Sequence, residues 1–178
     1  MIELNELLDK FKEEVNCSFT YLIGFSNEEL KSYIEKFREP INYIVKMVKM
    51  YIKCKDDKIM KEIIGILNTE EYAEMIYYIN KSYNYFKSKI QNEYEFDCVG
   101  HLLKLNISLL KIGGKLNFLY GNYNQSLKFE KKCIEYYPII PFFTIDREIN
   151  IEYNKCRQKG KIYNKNYLLY NTEDLEVK

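Results

Sequence analysis

Apolar residues three and four positions apart run through most of this chain, and little interrupts them. Leu4, Leu7, Leu8 and Phe11 mark one face of a helix that begins almost at the first residue. Only 7 Gly and 3 Pro stand among 178 residues. That is too few for the many tight turns of a sandwich or barrel. Long periodic runs with few breakers predict an all-α fold. The length fits one helical domain over 1–178 with a real core.

The starts and stops can be read along the chain. "SNEE", Ser26 to Glu29, reads as a capping box. Pro40 disfavours helical geometry in the residue before it, so the helix that this box opens should end near Glu39. A third helix is expected from about Pro40 to Cys54, with Ile41, Ile44, Val45, Val48 and Ile52 inward and Lys46, Lys49 and Lys53 on another side. "DDKIMKEIIGIL" gives a short fourth helix, and "NTEE" at Asn68 to Glu71 resembles a second capping box. The fifth helix carries Tyr72, Met75, Ile76, Ile79, Tyr83, Phe86 and Ile90 on one stripe, with Tyr77, Tyr78 and Tyr85 at its flanks as core-edge residues. "QNEYEFD" reads as a polar connection.

The segment that follows, Cys98 to Tyr120, is apolar nearly all round, the pattern of a central buried helix. One stripe departs from it: His101, Lys104, Ser108, Lys111 and Lys115 recur at helical spacing. Such a stripe either opens to solvent along one edge or lines a groove. After Pro138, "IIPFFTI" is short and bounded by prolines, suited to packing under the last helix or to an exposed partner patch. The remaining C-terminal helix and tail span about 141–178: Ile149, Ile151 and Tyr153 alternate like a strand, Ile145, Ile149, Tyr153 and Cys156 keep helical spacing, and the expectation is helix to about Lys159 followed by a looser, irregular end.

Leu110 to Pro138 resembles a tetratricopeptide repeat (TPR), a helix–turn–helix unit of ~34 residues. Leu110 is the first-helix anchor, Gly114 the small residue at close approach, and Gly121 to Tyr123 the turn; Ser126 and Cys133 are small second-helix residues, and Pro138 is the stop. Asn117 and Glu130 depart from the pattern, each standing where an aromatic is common. The likeness covers one hairpin, about 99–138, and no second copy lies one period away. A repeat unit cannot bury its apolar face alone. The resemblance therefore implies TPR-like α–α hairpins in a helical bundle or short solenoid, the alternative being an irregular bundle with one such hairpin. It further implies that the first helix lines a binding surface, with Ser108, Lys111 and Lys115 on that side and Lys104 extending it. Lysines there suit an acidic segment or a terminal carboxylate of a protein or peptide partner.

Charge and cysteine content narrow the other readings. Lys+Arg of 27 against Asp+Glu of 26 argues against a protein built mainly to coat nucleic acid. The best local candidate for such contact is the basic, aromatic-interleaved stretch with Lys155, Arg157, Lys159, Lys161 and Tyr163. Five widely spaced cysteines without a C-x-x-C motif fit reduced thiols in a cytoplasmic protein better than a disulfide framework. The acidic, amphipathic start is unlike a signal peptide, and no run approaches the ~20 apolar residues of a membrane span.

Catalysis has a thin basis. His101 is the lone histidine, so one chain offers no multi-histidine metal site. Cys98 and His101 share a helix face, where an imidazole could activate a thiol, yet a cysteine in an apolar helix is more often core. "IGG" at Ile112 to Gly114 lacks the context of a phosphate loop. The expectation is a non-enzymatic protein- or peptide-binding module without cofactor or metal. A small helical inhibitor or immunity-type protein that occludes one dedicated target is the alternative, and a nucleic-acid binder is another. A hot spot containing Tyr77, Tyr78 or Tyr85 would favour the inhibitor, a lysine-lined concavity peptide capture.

Overall fold

In the structure, a computed structural model that describes residues 2–22 and 28–137 (side chains of 2, 3, 21 and 93–96 excepted), the periodic runs become seven helices and no strand. They are α1 (Ile2–Leu22), α2 (Glu28–Glu35), α3 (Arg38–Cys54), α4 (Asp57–Leu67), α5 (Glu70–Lys87), α6 (Glu93–Leu119) and α7 (Tyr123–Tyr136). Ser26 of the first capping box, Pro138, the apolar stretch after it, the C-terminal helix and tail, and the basic stretch from Lys155 to Tyr163 lie outside the described residues. No helix among the described residues is long and apolar enough to cross a membrane. The chain divides within α6 into two compact units, Met1–Leu109 and Leu110–Lys178.

In the first unit, links of two residues join α2 to α3, α3 to α4 and α4 to α5. The helix ends at these links are closed locally. Phe37 N–H bonds back to the Ile34 carbonyl at 3.0 Å, tightening the end of α2. Lys55, in the left-handed region at φ 55°, closes α3 with its N–H on the Tyr51 carbonyl. Asp56 accepts from the Lys58 amide at 2.8 Å and caps α4. Thr69 accepts from the Tyr72 amide at 3.3 Å and caps α5, so the start expected at Asn68 falls one residue later.

Two further boundaries differ from the sequence reading. α2 ends at Glu35, not near Glu39, and α3 begins at Arg38 with Pro40 inside its first turn. A proline is accommodated there because its missing N–H would have no intrahelical partner. α6 begins at Glu93, within the stretch read as a connection. Polarity argues against burial, not against a helix.

α1 packs on α2 and α3, α3 on α4, and α5 on α2 and α4. Phe11, Phe19, Ile34, Ile41, Ile44, Ile63, Leu67, Ile79 and Phe86 are all but removed from solvent. Burying a side chain of this size stabilises by about 1.5–3 kcal/mol. The part of α6 in this unit is tied by two buried-side hydrogen bonds. Ser18 donates to the His101 carbonyl at 2.9 Å, and Tyr72 donates to the Leu109 carbonyl at 2.7 Å.

The second unit shows the end of α6 and α7, joined through Gly121 at φ 88°, a conformation that costs glycine little. The helices approach at Gly113 and Gly114. A Cβ on Gly113 would lie 2.6 Å from the Phe129 ring, and one on Gly114 3.2 Å from Glu130 Oε1. Polar groups are set among the apolar ones. Ser126 donates to the Gly114 carbonyl, Asn117 Nδ2 to the Gly113 carbonyl at 2.7 Å, and Asn122 Nδ2 to Asn117 Oδ1 at 3.2 Å. Asn117 and Glu130, the two departures from the repeat pattern, are both buried.

Substituting Gly113→Ala is expected to cost on the order of 1–3 kcal/mol in urea unfolding. The loss should shrink in a Phe129→Leu background. Gly65→Ala, with nothing within 4 Å of the new Cβ, should instead gain about 0.5–1 kcal/mol from helix propensity. Tyr72→Phe should cost about 1 kcal/mol by the same measurement, through loss of the bond to Leu109.

Candidate functional site

The cationic stripe of α6 is spread over several depths. In the first unit, the Lys104 side chain is 62% exposed, with Nζ 3.9 Å from Glu14 Oε1. His101 Nδ1 lies 3.1 Å from Glu14 Oε2, so both basic residues address one carboxylate on α1. Ser108 is buried. In the second unit, Lys115 is buried and Lys111 half-buried. Helical spacing placed these side chains on one side of α6, and the packing around the helix decides which of them meets solvent.

Cys98 and His101 do share the helix, but the thiol is fully buried. Desolvation pushes the Cys98 thiol up to about 12, the opposite of the shift that an attacking thiolate requires. Cys133 is likewise pushed up to about 12, first by burial and then by the Glu130 charge, with Lys111 opposing. Cys54 is exposed, its sulfur donating to the Met50 carbonyl at 3.0 Å. Among the described residues no group of three or more His, Cys, Asp or Glu side chains is placed to hold a metal ion.

A different surface in the first unit brings chemistry together. Tyr33 of α2 and Tyr78 of α5 stack with centroids 4.3 Å apart and planes within 9°. Tyr77, 52% exposed, stands edge-on to Tyr78 at 5.3 Å. Lys36, in the link after α2, sets its ammonium 4.6 Å from the Tyr33 centroid, 4.9 Å from Phe37 and 5.8 Å from Tyr78. The same ammonium lies 3.6 Å from Glu74 Oε1. Hydrogen bonding to Tyr33 raises the Tyr78 phenol above its ordinary range, with smaller contributions from desolvation and from the Tyr33, Glu74 and Tyr77 charges.

Beside this cluster a cavity of about 310 Å³ is lined by Phe37, Pro40, Ile44, Ile66 and Met75, with Lys36, Glu71 and Glu74 also bordering it. The aromatic walls come from one short helix and one long one, fixed by the core beneath: Ile34 and Phe37 are buried on one side, Tyr72, Met75, Ile76 and Ile79 on the other.

Tyr77 and Tyr78 stand out in the sequence as flanking residues of α5, whereas nothing in the pattern marks Glu74, or Tyr33, Lys36 and Phe37 as its partners. Tyr33 and Phe37 are four apart with Lys36 between, a signal of a shared aromatic face near a helix end. Their pairing with Tyr78 depends on which helix α2 packs against, and no local spacing gives that.

Comparison with known proteins found no family model, no curated protein and no solved structure that matches this chain.

The thiols provide a direct check on the geometry. With native protein, a maleimide or disulfide reagent should label Cys54 readily and leave Cys98 and Cys133 unmodified, as read by peptide mass spectrometry. Because burial holds the latter two protonated to about 12, raising the pH through the range near 8.5 where an ordinary thiol ionises should not bring them into reaction until the chain unfolds.

Proposed function

We propose that this chain is a non-enzymatic protein-binding module whose contact surface is the aromatic face of α2 and α5, centred on Tyr33, Tyr77 and Tyr78. The observation that carries the reading is the stacked tyrosine pair with an exposed third tyrosine at its edge. Tyrosine is enriched where binding energy concentrates, because it offers large contact area at small entropic cost and a hydroxyl for a polar partner. The neighbouring cavity, apolar along Phe37, Pro40, Ile44, Ile66 and Met75, gives an anchor side chain somewhere to go. An aromatic hot spot of this kind favours a small helical protein that occludes a dedicated target, the inhibitor or immunity-type reading.

Peptide capture by the lysines of α6 is the second reading, and the exposed Lys104 supports it. The burial of Ser108 and Lys115 limits what that face presents. The helix–turn–helix of α6 and α7, closed through Gly121 and pinned at Gly113 and Gly114, supports a repeat-like hairpin. At 27 residues, however, α6 alone takes most of a ~34-residue TPR unit, so the bundle reading with one such hairpin is the better fit. The free thiols of Cys17, Cys54, Cys98 and Cys133 fit a reducing, cytoplasmic setting.

The test is affinity capture from native-host lysate with wild-type chain, with Tyr77→Ala and Tyr78→Ala, and with Lys104→Glu plus Lys111→Glu, all first checked for unchanged melting. The reading expects a specific partner whose affinity falls by about thirtyfold or more on either tyrosine substitution, the scale of a hot-spot residue. Loss with the lysine variant alone would move the site to α6. A partner kept by every variant would sink both readings.

A further inference from the structure

Lys36 is held by the kind of surroundings that recognise an ammonium group in a ligand. Three aromatic rings stand within 5.8 Å of it and a carboxylate at 3.6 Å. The face of an aromatic ring attracts a cation through its quadrupole, and rings gathered around one point are the usual means of binding alkylammonium ions. Here the ion filling that point belongs to the chain itself.

The geometry points to a site for an alkylammonium group, a lysine side chain of a protein partner, formed by Tyr33, Phe37, Tyr78 and Glu74 and filled by Lys36 when no partner is present. This assignment rests on the protein-binding reading of the α2–α5 face and names what that face takes.

Three observations carry it. The first is that the walls do not depend on the occupant. Tyr33 and Tyr78 stack on each other, and Phe37 is buried, so the site stays formed when Lys36 leaves. The second is that the occupant is lightly held. Its side chain is 48% exposed and its carboxylate partner 43% exposed, and an ion pair that open to water contributes little. The third is the charge left behind. Glu71 and Glu74 both border the adjoining cavity, so with Lys36 swung out two carboxylates remain there; the Lys81 ammonium, 5.9 Å from the Tyr78 centroid, does not line that cavity. A partner's lysine would restore the balance, laying its methylene stem along Phe37, Pro40, Ile44 and Met75 and its ammonium where Lys36 had been.

A tethered occupant lowers the apparent affinity of an outside ligand by the fraction of time that the site is empty. Removing the occupant's charge while keeping its bulk is therefore the decisive variant. Lys36→Met is titrated with n-butylammonium chloride and the tyrosine ring protons are followed by NMR, with n-butanol as the uncharged match. The expected result is saturable n-butylammonium binding to Lys36→Met, severalfold tighter than to wild type, confined to the Tyr33 and Tyr78 rings and not reproduced by n-butanol. Adding Glu74→Gln should weaken it severalfold, which keeps the test independent of any ring substitution that fails to fold. Equal binding by wild type and Lys36→Met, or equal response to n-butanol, would overturn the assignment. The two readings separate cleanly. A captured partner that needs Tyr77 yet is indifferent to n-butylammonium and to Lys36→Met leaves the protein-binding reading standing and removes this one. Saturable n-butylammonium binding with no partner lost on tyrosine substitution keeps the ammonium site but overturns its assignment to a partner's lysine, together with the protein-binding reading.

Discussion

A helix buried along most of its length has to answer its own polar side chains inside the protein. α6 is under that constraint: from Leu105 to Leu110, and again from Ile112 to Asn117, every residue is buried. Its main chain is used as well as its side chains. The carbonyls of His101 and Leu109 accept from Ser18 and Tyr72, and those of Gly113 and Gly114 from Asn117 and Ser126. A polar group left without a partner there would cost about 1–3 kcal/mol. Within the first unit the hydroxyls of Ser18 and Tyr72 thus tie α1 and α5 to α6, and within the second that of Ser126 ties α7 to its end.

Most of the helices were legible because periodicity reports a face and the face reports a core. Ile41, Ile44, Val45 and Val48 are buried as their spacing implied, and so are Met75, Ile76 and Ile79. Periodicity says nothing about depth on the other faces. Lys104 and Lys115 stand eleven residues apart on one stripe, yet one is mostly exposed and the other buried, because depth is set by neighbours from elsewhere in the chain. Asn117 and Glu130 illustrate the same gap from the opposite direction. They looked like flaws in a repeat pattern, and they are interior polar residues of the α6–α7 contact.

The aromatic site was hidden for a related reason. Tyr33 and Tyr78 lie on two helices and more than forty residues apart, and Phe37 and the cation sit in a two-residue link that a reading of helices passes over. Tyr78 by itself is an unremarkable flank of α5. It acquires meaning only when α2 is known to pack there, with Tyr33 in parallel stack at 4.3 Å.

The order of the helices carries a consequence for how the chain is made. α6 is synthesised after α1 and α5, yet both are tied to it. Ser18 must wait 83 residues for His101, and Tyr72 37 residues for Leu109. At translation speeds of about 5–20 residues per second, the hydroxyl side of α1 stands without its acceptor for roughly 4–16 seconds on the ribosome. The two-residue links allow α2 through α5 to gather locally in that interval, before either hydroxyl meets its acceptor.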